Sequence, residues 1–219
     1  MNTTRASAEF LEREIKLWAE PGSLDTFLEF GKFILKAQTV LGAGADRYWT
    51  HPKFKELPAI RHRFNSDYSE LTVKSKKHGN LVRHEVNLPL NAANNEEVER
   101  LLELQGYTLA MEIHKISHIL YTPTVVYSWY SVLRPDGMIH MVDGAPAQFV
   151  EIELNEKLDW FDQYQQAKGQ AGSPEEVEEF CSDYLHRQWD RLMKLGIVGD
   201  EGARINRSLW ELFGPKDWA

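Results

Sequence analysis

The 219-residue chain has one cysteine, Cys181, no long apolar run and no surplus of basic charge. A single cysteine excludes an internal disulfide and any cysteine-rich zinc site. It fits a reducing, cytoplasmic compartment. No stretch approaches the ~18 continuous apolar residues of a membrane helix. The polar segment Met1–Glu9 also lacks the apolar run of a signal peptide. Lys and Arg total 25 against 33 Asp and Glu, a formal net charge of −8. That balance disfavours a nucleic-acid partner, because neutralising a phosphate backbone needs surplus basic side chains. It leaves room for a local basic cavity. With no repeat, low-complexity tract or long linker, the chain reads as a single domain over 1–219, its first eight residues disordered. A 42% hydrophobic content is enough for a substantial core.

Helical spacing predicts helices over Leu24–Leu41, with Ser23 as N-cap, and over Glu96–Leu104 behind Asn94 and Asn95. Ser173-Pro174-Glu175-Glu176 reads as a capping box with proline at the first helical position, opening a helix to Leu195. A short helix over Arg204–Phe213 closes the chain. Strands are predicted over Phe10–Ala19, Ala59–Phe64, Ser69–Lys76, Leu81–Leu88, Ala110–Leu120, Val125–Leu133, Met138–Val142 and Phe149–Leu154.

Side-chain parity along these strands is the informative feature. Successive side chains point to opposite faces. Glu12, Glu14 and Lys16 therefore share a face, with Ile15 and Leu17 on the other. Arg61 with Arg63, Lys74 with Lys76, Arg83 with Glu85, and Glu151 with Glu153 repeat the pattern. An ordinary exposed sheet face intersperses charge signs, because opposed like charges cost energy. Here the acids lie at both ends of the sheet region and the bases between them. Carboxylates at i, i+2 repel unless a cation sits between them, and hard oxygen ligands suit Mg²⁺ or Mn²⁺.

Glu12-Arg13-Glu14-Ile15-Lys16 is similar to the ExExK signature of the CYTH family, the triphosphate tunnel metalloenzymes. The order of the remaining pieces strengthens the resemblance: Asp46-Arg47-Tyr48-Trp49, Ile60-Arg61-His62-Arg63, Glu70 to Lys74, Arg83-His84-Glu85, Lys115, Asp143-Gly144, Phe149 to Glu153, and Arg207-Ser208-Leu209-Trp210. The resemblance implies an α+β fold, an eight-stranded antiparallel β-barrel forming a hydrophilic tunnel with helices outside. It implies Glu12, Glu14, Glu85, Asp143, Glu151 and Glu153 as metal-binding carboxylates. It implies Lys16, Arg61, Arg63, Lys74, Arg83, Lys115 and Arg207 as the grip on a triphosphate, with Lys74, Glu12 and Glu14 at the catalytic centre. One departure stands out. The family shows Lys-x-Arg where this chain has Lys115-Ile116-Ser117, and His118 has the opposite parity. The helical stretch over 156–196 is longer than the family leads one to expect and suggests a lid or dimer surface.

The chemistry implied is Mg²⁺- or Mn²⁺-dependent hydrolysis of the terminal phosphate of ATP, thiamine triphosphate or inorganic triphosphate. Phosphoryl transfer is catalysed mainly by positioning and charge neutralisation. The alternatives are a nucleotidyl cyclase that releases pyrophosphate and a non-catalytic polyphosphate or nucleotide binder. A homodimer is compatible with either. Three further features have plainer explanations. His114 and His118 lie on a predicted strand without an HExxH pattern. Cys181 lacks an activating base. Tyr127, Trp129 and Tyr130 fit packing beneath a helix better than stacking on a base.

Overall fold

The computed structural model describes residues 8–53, 59–74 and 82–215. The segment expected to be disordered, Met1–Ala8, lies outside them except for Ala8. The order begins with β1 (Ala8–Trp18), α1 (Leu24–Glu29) and a π-helical continuation over Phe30–Leu35. Next come β2 (Thr39–Thr50), β3 (Ile60–Phe64), β4 (Ser69–Lys74), β5 (Val82–Leu90), α2 (Asn95–Leu104), β6 (Thr108–Tyr121) and β7 (Val125–Leu133). A small hairpin, β8 (Met141–Val142) and β9 (Ala145–Pro146), leads into β10 (Gln148–Leu154), α3 (Trp160–Lys168), α4 (Pro174–Lys194) and α5 (Leu209–Phe213).

The large sheet is antiparallel throughout, with neighbours in the order β1-β10-β7-β6-β2-β3-β4-β5. Its two ends meet on β1, but in series. Residues Ala8–Arg13 pair with β5, while Glu14–Trp18 pair with β10. No residue of β1 pairs with both β5 and β10, and the far side of Leu17 is met by a bridge to Arg204. The eight antiparallel strands curl around a tunnel-like interior and join through a seam staggered along β1.

Several elements differ from the sequence expectation, among them α5, which starts at Leu209 and not at Arg204. The first helix does not run to Leu41. It ends at Lys36, which adopts a left-handed conformation (φ 51°), and the chain enters β2 at Thr39. The segment Leu41-Gly42-Ala43-Gly44-Ala45 has no polar/apolar alternation, so it carries no strand signal. Met138–Val142, expected in the main sheet, instead contributes β8 of the small hairpin.

The apolar faces of β1, β7 and β10 point outward. Ile15, Leu17, Tyr127, Trp129, Val150 and Ile152 are buried there with Phe27 and Phe30 of the first helical segment and Trp160 of α3. Val177, Cys181, Leu185, Trp189 and Leu192 of α4 complete this core. The capping box that starts α4 is present: the Ser173 hydroxyl accepts from the Glu176 amide, and the Glu176 carboxylate accepts from the Ser173 amide. α4 thus covers the sheet as part of the core. Tyr127 donates to Gln188 at 2.8 Å and Trp129 to Ser23 at 3.2 Å, which settles both aromatics into packing roles. Burial likewise pushes the Cys181 thiol up to about 11, so it is inert at neutral pH. Replacing fully buried Leu185 by Ala should cost about 2–5 kcal/mol, measured by urea denaturation. A loss below about 1 kcal/mol would show that α4 is not integral to this core.

Candidate functional site

The polar parity of the strands turns inward. Register partners fix who meets whom: Glu14 lies opposite Glu153, Lys16 opposite Glu151, Asp46 opposite Arg63, and Lys74 opposite Glu85. The interior also receives Glu12 from β1, Arg61 from β3, Glu70 and Thr72 from β4, Lys115 from β6 and Tyr130 from β7.

Three linked clusters form. In the first, the Lys74 ammonium bridges the carboxylates of Glu12 and Glu85. Arg61 donates to the Thr72 hydroxyl at 2.9 Å and lies 3.9 Å from Glu85. Thr72 in turn donates to Asn87 at 2.7 Å. Burial would raise the Glu85 carboxyl, but Lys74 and Arg61 hold it below its usual value. In the second, Lys16 lies 3.1 Å from Glu151, which also accepts a 2.8 Å bond from the Tyr130 hydroxyl. Burial works against ionisation of Glu151, and Lys16 followed by Lys115 overcomes it, so Glu151 stays charged. In the third, Arg63 grips Asp46 through two parallel bonds of 2.7 and 2.9 Å, and Lys115 approaches the same carboxylate at 3.3 Å. Lys115 also sits 4.7 Å from the Tyr130 ring centroid.

Glu153 behaves differently from its neighbours. Burial, and then the charges of Glu12 and Glu14, push its carboxyl well above the ordinary value. This is the like-charge crowding that parity implied. Among the described residues, no group of three or more His, Cys, Asp or Glu side chains is gathered closely enough to hold an ion as it stands. The donor chemistry still suits a hard divalent cation. Glu12, Glu14 and Glu153 are oxygen donors of one sign, and a cation between them would remove the repulsion that holds Glu153 protonated.

One end of the interior is apolar. Tyr48, Ile113, Tyr130, Val132 and Phe149 pack there with Ile205 and with Leu209 of α5. The Trp210 ring stacks on Tyr48 at 5.8 Å between centroids. α5 is held by its own capping box between Ser208 and Glu211. A ligand therefore meets charge in the middle of the tunnel and an apolar plug at this end.

Not every expected residue joins the site. Asp143 is exposed at the tip of the small hairpin with φ 52°, followed by Gly144 with φ 84°. Asp-Gly is the turn pair that such a two-residue connection demands, and turn geometry accounts for it. Arg207 is exposed just before α5. The Arg83 backbone pairs with Glu12, but its side chain lies outside the described residues, as does Lys76. Ser117 does face inward opposite Gly42 and Tyr130, so no arginine replaces the family's missing one at that position. His118 points outward to Trp129, and His114 bonds Glu112 at 2.9 Å. Several interior residues escape the sequence reading of the site, among them Asp46, Glu70, Thr72 and Tyr130. Asp46 was hidden in the unrecognised β2, and Tyr130 was grouped with the outward aromatics, although its parity opposite to Tyr127 and Trp129 separates it from them.

No protein-family model matches the chain, and no curated protein matches it by sequence. Solved structures do. A protein of Pyrococcus horikoshii OT3, PH1819, aligns with TM-score 0.62 and 20% identity over 92% of this chain and 97% of its own. A candidate adenylate cyclase from Vibrio parahaemolyticus aligns with TM-score 0.57 and 15% identity, again over 92% and 97%. A chain of the Schizosaccharomyces pombe Mediator head module aligns with TM-score 0.58 and 9% identity over 84% and 95%. At these identities the likeness is one of fold. Because the same fold occurs in a Mediator head module, any argument for catalysis rests on the side chains. No helix among the described residues is long and apolar enough to cross a membrane.

Proposed function

We propose that this chain is a divalent-metal-dependent triphosphatase of the triphosphate tunnel type, releasing the terminal phosphate of a small-molecule triphosphate. The observation that carries the reading is the pairing of Glu14 with Glu153, beside Glu12, in the same interior as Arg61, Arg63, Lys74 and Lys115. A module that only binds anions has little use for facing carboxylates. A module that only binds metal has little use for two arginines and two lysines. The candidate cyclases among the structural neighbours fit the same theme, since a cyclase also consumes a triphosphate.

In this reading Arg61 and Arg63 present planar forks to phosphate oxygens, while Lys16, Lys74 and Lys115 supply point charges. Glu12, Glu14 and Glu153 would hold Mg²⁺ or Mn²⁺, with Glu151 and Glu85 oriented by their lysines. When bound, the ion supplies Lewis-acid neutralisation of phosphate oxygens. Water attacks the terminal phosphorus, and the bond to the bridging oxygen breaks. Orthophosphate and the shortened chain leave, and the water's proton goes to solvent. No side-chain nucleophile is required. Hydrolysis is preferred to cyclisation because no base-specific pocket is evident among the described residues of the tunnel.

The test incubates the purified chain with Mg²⁺ or Mn²⁺ and inorganic triphosphate, thiamine triphosphate or ATP, and assays orthophosphate. Release that stops on adding a chelator is expected, and the fastest substrate names the attached group. Tight binding of all three without any release would identify a binder and overturn the proposal.

A further inference from the structure

Asp46 stands apart from the acids that the metal reading uses. It lies on β2, and it is only 1% exposed. Its carboxylate is shared by two cations from different strands: Arg63 of β3 through two bonds and Lys115 of β6 at 3.3 Å. Both bonds to Asp46 use Nε and Nη2 of Arg63, so the guanidinium plane is fixed while Nη1 is unclaimed among the described residues. A flexible lysine and a long arginine are thereby held against one buried anchor, and neither has to be ordered when an anion arrives.

We propose that Asp46 is a positioning residue: it fixes Arg63 and Lys115 as a preformed anion grip and keeps Lys115 charged inside the tunnel. The second role follows from the surroundings of Lys115. It faces Asp46 from β2, Arg61 and Arg63 from β3, Tyr130 from β7 and Glu151 from β10. Burial drives its ammonium toward the neutral form, the two arginines add to that, and Asp46 is the leading opposing group. The outcome is a Lys115 brought down to about 8. Burial also works against ionisation of Asp46, but Arg63 and then Lys115 hold its carboxyl far below the usual range, so the anchor is charged at neutral pH.

The ligand in this inference rests on the triphosphatase reading, but its first test does not. In ligand-free protein, the pH dependence of Lys115 acylation by acetic anhydride is read by peptide mass spectrometry. The half-point should lie near 8 in the parent chain. Removing the carboxylate charge in Asp46→Asn should lower it by about one pH unit or more. The second test measures the affinity for inorganic triphosphate by calorimetry between pH 6 and pH 10. Parent affinity should weaken above pH 8 by about tenfold per unit relative to Lys115→Arg, whose guanidinium keeps its charge. The comparison with one ligand cancels the ligand's own titration. Asp46→Asn should begin to weaken at a lower pH.

An acylation half-point unmoved in folded Asp46→Asn would overturn the proposal. So would a Lys115→Arg variant that loses affinity above pH 8 as steeply as the parent, a result that does not require Asp46→Asn to fold. If the parent chain fails to bind triphosphate at any pH, the functional reading fails, and the acylation result alone decides the role of Asp46.

Discussion

Changing Glu14 and Glu153 together to Gln should lower triphosphate turnover by at least about 10³-fold. A metal clamp supplies several kcal/mol of transition-state stabilisation, and ~4 kcal/mol corresponds to three decades in rate. These two are chosen because they face each other across the β1–β10 pairing. Glu12 and Glu151 are poorer choices for single tests, since each pairs with a lysine of the tunnel interior. Changing all of Glu12, Glu14, Glu151 and Glu153 should abolish activity as well, but at a cost to that lysine pairing.

Stability should move the other way. The carboxyl of Glu153 is raised on folding by burial and by Glu12 and Glu14. The folded state therefore keeps a proton that the unfolded chain has released. The Glu153 contribution to metal-free stability should be fully present below its unfolded-state pKa and be lost as pH climbs through the raised folded value. Glu153→Gln removes the ionisable group, so the variant in chelator should show a flatter stability profile and unfold later than the parent at neutral pH. Activity lost together with stability would point to a structural role for this pair. Activity kept in the double variant would remove the metal shell from the account.

The second large effect concerns Arg63. Arg63→Met leaves the buried Asp46 carboxylate with Lys115 as its remaining close partner. Breaking a buried pair by removing one member typically costs about 3–5 kcal/mol. Here the lower end applies, because the Arg63 side chain is 33% exposed and solvent screens part of the interaction. Affinity for inorganic triphosphate should fall by about 100-fold, the scale expected for one lost charge-assisted fork. Adding Asp46→Asn to Arg63→Met should recover stability without recovering affinity. The stranded carboxylate is then gone, and Lys115 can shed its proton. Urea denaturation and calorimetry on the four proteins of this cycle separate the two effects. Additive losses in stability would show that Asp46 and Arg63 do not depend on each other.

Much of this architecture was readable before any coordinates, and the reason is periodicity. Strands that alternate charge with branched apolar residues, such as Glu12 to Leu17 and Val150 to Leu154, declare both their pleat and their two faces. The capping box of α4 is readable because it is a local device, whereas the sequence reading starts α5 at Arg204, ahead of its Ser208 cap. What escaped lacks a local signal. β2 runs early through Leu41-Gly42-Ala43-Gly44, where nothing alternates, and it follows a helix whose apolar spacing continues into it. With β2 went Asp46, a residue whose importance is set by partners far along the chain. The resemblance carried Asp143 and Arg207 to the site by position, yet a turn and an exposed loop claim them. Turn chemistry at Asp143-Gly144 was itself visible and would have favoured the hairpin. The seam on β1 depends on register between distant strands, which no pattern within one strand encodes.

The central claim is that water attacks the terminal phosphorus of a triphosphate held by this tunnel. Phosphorus NMR of a reaction run with Mg²⁺ in oxygen-18 water, using the substrate turned over fastest, tests it most directly. The account predicts one labelled oxygen in the released orthophosphate and none in the shortened chain. Label in the shortened chain would place the attack at an inner phosphorus. Pyrophosphate released together with an unlabelled cyclic nucleotide would replace the triphosphatase with a cyclase.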